Sequence, residues 1–82
     1  MTREEILQTK WAKEFQKEDL CSFQEALDFC LNDNRQITIY KTNETGEELW
    51  VISIAESDFW LDTKKTKKEA INLCKEMGWK VV

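Results

Sequence analysis

The apolar period of this chain changes twice, and those changes restrict the folds open to it. Apolar residues fall at helical spacing before residue 32, at every second position between 36 and 55, and at helical spacing again after 66. Helical, alternating and helical stretches in that order describe an α+β chain. An antiparallel meander must bury one face, and amphipathic helices are its natural cover.

Three copies of Ser/Thr-x-x-Glu mark the expected helix starts: Thr2 to Glu5, Ser22 to Glu25 and Thr66 to Glu69. In this box two side chains satisfy backbone N–H groups reciprocally. The first expected helix covers residues 3–17, with Leu7, Trp11 and Phe15 spaced four apart beside Ile6 and Ala12. The second places Phe23, Ala26, Leu27, Cys30 and Leu31 on one stripe. It fades through Asn32, Asp33 and Asn34, residue types that tolerate a left-handed backbone. The third gathers Ala70, Ile71, Leu73, Cys74 and Met77 and ends at Gly78, a good C-terminal cap.

Between the second and third helices, residues 36–42 and 49–55 alternate and are joined by a hairpin turn at residues 43–46. Phe59, Trp60 and Leu61 form a short third strand after the turn Glu56-Ser57-Asp58. Residues 79–82 supply either a short C-terminal strand or an extended tail. The expectation is one domain over residues 1–82, an α+β two-layer sandwich. Its three-stranded antiparallel meander is covered by two helices, with an additional N-terminal helix. The expected order is α-α-β-β-β-α, with an optional last strand.

With 82 residues, 41% of them apolar and 34% charged, the chain has the composition of one soluble domain with one modest core. No apolar run approaches the ~20 residues of a bilayer crossing. The opening Met-Thr-Arg-Glu-Glu lacks the layout of a secretory leader. A cytoplasmic protein without a membrane partner is expected. Cys21, Cys30 and Cys74 are odd in number and form no Cys-x-x-Cys pair, and there is no histidine to complete a zinc set. No metal or cofactor is expected. The lack of histidine also removes Ser-His and Cys-His nucleophilic pairs, and two glycines do not build a phosphate loop. An enzyme is not expected; a third functional reading is a carboxylate-based metal site or hydrolase within residues 44–62.

Charge is segregated along the chain. Residues 44–62 hold six carboxylates (Glu44, Glu47, Glu48, Glu56, Asp58 and Asp62) and no Lys or Arg. Immediately after them come Lys64, Lys65, Lys67 and Lys68, four lysines in five positions. Acids are favoured in the first turn of a helix, so lysines there make electrostatic sense where an anion docks. The bland alternative is a solvated face balanced by Asp58 and Asp62.

The stretch from Thr63 to Ala70 resembles the lysine-rich helix start with which double-stranded RNA-binding domains grip phosphates, and the helix-strand-strand-strand-helix order is similar too. Those domains also use a loop with Gly, Pro and His, and this chain has neither Pro nor His. The meander followed by a Thr-Lys-Lys-x-Ala-like helix start is also similar to the arm-site DNA-binding domains of tyrosine recombinases. Their sheet face is basic, whereas residues 44–62 here are acidic. The first resemblance implies phosphate contact by the lysines, and each covers about half of the chain.

Four tryptophans, Trp11, Trp50, Trp60 and Trp79, exceed what a small core requires, so at least one indole should be partly exposed. An exposed aromatic beside charge suits a protein interface. Stacking on single-stranded bases needs basic surroundings, which Trp50 and Trp60 lack. The expectation is a small non-enzymatic module that binds another protein, as regulator, adaptor or inhibitor. Its contacts would be Trp60 or Trp11 with Asp58 and Asp62. The alternative is nucleic-acid or phosphate binding through Lys64, Lys65, Lys67 and Lys68, against which a net charge of −4 weighs. Oligomeric state has no signature in the sequence.

Overall fold

Thr2 opens the first helix as expected. Its hydroxyl accepts from the Glu5 N–H at 3.2 Å, and the Glu5 carboxylate accepts from the Thr2 N–H at 2.9 Å. The computed structural model describes all residues, Met1–Val82. The chain forms two compact units, Met1–Asp33 and Asn34–Val82, with the element order α-α-α-β-β-β-α-β. No helix is long and apolar enough to cross a membrane.

The first unit holds α1 (Arg3–Leu7), α2 (Lys10–Glu18) and α3 (Leu20–Leu31). The single helix expected over residues 3–17 is broken at Thr9. That hydroxyl donates to the Ile6 carbonyl at 2.6 Å and accepts from the Ala12 N–H at 3.2 Å. It thus closes one helix and caps the next, the competition with helical bonding that threonine offers. The third helix also starts earlier than its Ser-x-x-Glu signal. Asp19 is its cap, accepting from the Ser22 N–H at 3.1 Å. Trp11, Phe15 and Phe23 meet as an aromatic trio with centroids 5.5 to 6.2 Å apart. Ile6, Ala12, Ala26, Leu27 and Cys30 are buried in the same unit.

The second unit contains β1 (Gln36–Thr42), β2 (Leu49–Ile54), β3 (Trp60–Lys64), α4 (Lys67–Met77) and β4 (Lys80–Val81). The sheet order is β3-β2-β1-β4. The first three strands are the expected antiparallel meander, and β4 adds as a parallel neighbour of β1. The left-handed residue at the entry to β1 is Arg35, with φ 33°, rather than one of the preceding asparagines. Its carbonyl accepts from the Lys80 N–H at 2.8 Å, which docks β4. The helix α4 packs on β2, β3 and β4 and buries Ala70, Cys74 and Met77. Thr66 caps it by accepting from the Glu69 N–H at 3.2 Å, and Gly78 ends it at φ 74°, where a side chain would be strained. Ile37 and Ile52 are fully enclosed, and each such burial is worth about 2 kcal/mol.

One irregularity decides where side chains point. Along β2 and β3 the register is Trp50 opposite Lys64, Val51 opposite Thr63 and Ile52 opposite Asp62, but Ser53 faces Trp60. Leu61 is therefore an extra residue, a β-bulge. Successive strand residues alternate faces. The bulge thus puts Trp60 on the face of Ser53, while Asp62 and Lys64 share the face of Ile52 and Trp50.

Candidate functional site

The β2–β3 turn is tied from inside. Ser53 is buried, and its hydroxyl lies 2.9 Å from the Ser57 carbonyl and 3.1 Å from that of Phe59. The Ser57 hydroxyl in turn accepts from the Phe59 N–H at 3.1 Å. Glu56, at the tip, is held at φ 61°, an unusual backbone for a residue with a β-carbon. This turn borders a shallow open cleft of about 350 Å³, lined by Tyr40 and Thr38 from the sheet and Glu56, Ser57 and Asp58 from the turn. Thr38 lies opposite Ser53, and Ser53 opposite Trp60, so one cross-strand row runs from the cleft to that indole. Trp60 is half-buried, and Tyr40, Glu56 and Asp58 are exposed. Around this cleft the titratable side chains are the two carboxylates and the tyrosine, with no cation among its lining residues.

On the opposite side of the same sheet the sign reverses. Lys41, Trp50 and Lys64 form one cross-strand row over β1, β2 and β3. The ammonium groups of Lys41 and of Lys67, the latter from the first turn of α4, both lie 5.7 Å from the centre of the Trp50 ring. Lys41 is ion-paired with Glu48, and Lys64 with Asp62 at 3.5 Å. Lys65, Lys67 and Lys68 are exposed, with no carboxylate within ion-pairing distance. The sequence expectation that Trp50 lacks basic surroundings is thus corrected. Charge counted along the chain misses it, because Lys41 and Lys67 lie well away from Trp50 in sequence. Pairing the two strands across the hairpin would have found Lys41.

The expected contact residues are therefore separated. Trp60 and Asp58 belong with the acidic cleft. Asp62, expected beside them, lies on the other face, bound to Lys64. Trp11 is only 5% exposed, inside the aromatic trio of the first unit, so it offers no interface anchor. Trp79 is enclosed as well, leaving Trp50 and Trp60 as the partly exposed indoles. Tyr40, 38% exposed at the cleft, and Trp50 with Lys41 are the site residues that sequence reasoning missed.

The remaining reactive groups are dispersed. No three His, Cys, Asp or Glu side chains come together as a metal-ligating group. Burial pushes the Cys74 thiol up from 9.0 to about 11, which holds it in the un-ionised, unreactive form. The Glu5 carboxyl is held below its usual value by the bonds from the backbone N–H and hydroxyl of Thr2, which marks a helix cap rather than a site. Comparison with protein-family models, curated proteins and solved structures finds no match for this chain. Its chemistry therefore has to be read from these two surfaces.

Proposed function

We propose that the chain is a small non-enzymatic interaction module that docks on another protein through the Trp60 side of its sheet. The observation that carries this reading is the row of Trp60, Ser53 and Thr38 leading into the cleft lined by Tyr40, Glu56 and Asp58. A half-buried indole supplies apolar contact area at low entropic cost, and Tyr40 supplies a second aromatic plate with a polar tip. Two carboxylates at the rim complement a partner surface bearing Lys or Arg, which steers encounter and sets register. The lack of histidine and the suppressed Cys74 thiol support a binding role over a catalytic one. A cytoplasmic setting is part of the same proposal.

The test has two arms. A short basic peptide titrated into isotope-labelled protein should shift the amide resonances of Tyr40 and of residues 56–60 and leave those around Trp50 in place. Purification of tagged protein from its native host, with nuclease added, should recover a protein partner that the double variant Glu56→Lys, Asp58→Lys loses. An unchanged partner set in that folded variant, or peptide shifts confined to other surfaces, would refute the reading.

A further inference from the structure

Trp50 and the lysines around it form a second surface that the protein-docking reading does not use. We infer that this surface binds single-stranded nucleic acid, with Trp50 as the plate on which an unpaired base stacks and the surrounding lysines on the phosphates. Three elements converge there: Lys41 from β1, Lys64 from β3 and Lys67 from α4. The two ammonium groups lie over the indole at 5.7 Å, within cation–π range, on exposed flexible stems that swing aside to phosphates when a base takes the ring face. Trp50 correspondingly keeps part of its surface open.

The chemistry selects the ligand. Lysines alone would accept any anion, including an acidic peptide. An indole framed by them adds a flat apolar plate, which rewards a planar aromatic group lying one sugar away from a phosphate. Bases in a duplex hide those faces in their own stack, so an unpaired strand is the better fit. The same arrangement explains how a chain of net charge −4 can bind a polyanion. The Glu56 and Asp58 carboxylates sit beside the opposite face of the sheet, and Lys65, Lys67 and Lys68 carry no paired acid. Lys41 and Lys64 are part-neutralised by Glu48 and Asp62, so the electrostatic share comes chiefly from Lys67 beside the ring and from Lys65 and Lys68, its neighbours in sequence. Three phosphate contacts predict a slope of about −2 for log affinity against log salt, since each contributes about −0.7 on a single strand.

Anisotropy of labelled oligo-dT and oligo-U of about twelve nucleotides, against duplexes of equal length, tests this at ~50 mM salt. The expected result is salt-sensitive binding of one or both single strands, weaker binding of duplex, and partial quenching of tryptophan emission. Trp50→Leu should weaken binding about tenfold or more, the scale of one lost stacked base, with Trp50→Phe between it and the parent protein. Circular dichroism and melting establish that both variants fold; should Trp50→Leu unfold, the Trp50→Phe affinity decides. Lys67→Gln with Lys68→Gln should flatten the salt slope, while Lys75→Gln, farther along α4, leaves it unchanged. Absence of single-strand binding would overturn the inference. So would parent-like affinity in the tryptophan variants, or equal competition by an acidic peptide, both of which reveal a general anion surface. Glu56→Lys, Asp58→Lys should retain this binding, so failure of either reading is visible apart from the other.

Discussion

Glu56 shows how much a single residue position contributes here. Its left-handed backbone fits the tight β2–β3 turn but costs about 1 kcal/mol for a side chain with a β-carbon. Glu56→Gly should therefore leave stability unchanged or slightly raised, whereas Glu56→Val should lower it by about 1–2 kcal/mol in urea unfolding. Because the glycine variant removes the carboxylate without straining the chain, it also separates charge from fold at the cleft. Cys74 makes a second residue-level prediction. Its thiol ionises more readily in the unfolded chain than when buried, so the folded form binds the extra proton as pH rises. Stability contributed by the protonated thiol is complete below pH 9 and is lost as pH climbs through about 11. Melting scans should show that alkaline decline, reduced in Cys74→Ala after its lower starting stability is allowed for. A thiol reagent should meanwhile modify exposed Cys21 first and reach Cys74 only on unfolding.

At the level of elements, hydrophobic period and turn chemistry located β1, β2 and the last helix, because each signal coincided with its own cap or turn, and found only the start of β3, which runs on to Lys64 instead of ending at Leu61. The hairpin turn closes with the Gly46 N–H donating to the Asn43 carbonyl at 3.0 Å, and Gly46 sits at φ 88° where glycine is at ease. What escaped was local competition. Thr9 lies within an unbroken apolar stripe, yet its hydroxyl offers the backbone a better arrangement than continued helix. Asp19 likewise outcompeted Ser22 as a cap by lying three residues earlier. Thr9→Ala should cost about 1 kcal/mol, read by chemical denaturation, while Thr9→Ser should preserve the cap. Ser53 belongs to the same class of polar residue inside an apolar strand. Replacing it with Ala should cost about 1 kcal/mol and loosen the 55–59 turn, seen as faster amide exchange there.

On the scale of the whole molecule, the candidate surfaces were only partly legible because they are products of strand pairing. Reading along the chain found the acids and the lysines but could not place Lys41 beside Trp50, nor part Asp62 from Trp60. Those relations come from cross-strand register, which joins residues remote in sequence. The central strands β1 and β2 should show the slowest amide exchange in the sheet, and two-residue β4 the fastest. Charge reversal at the cleft and neutralisation at the lysines should have additive effects on melting, since the groups share no partner. The extra residue at Leu61 then has an unexpected reach. Were the ladder to run unbroken through it, Leu61 would pair with Ser53 and the indole that precedes it would fall opposite Ile54 on the lysine-bearing side, emptying one surface of its aromatic anchor and crowding the other. A slip of one residue in pairing would thus redirect what the molecule recognises without altering the chemistry of any side chain.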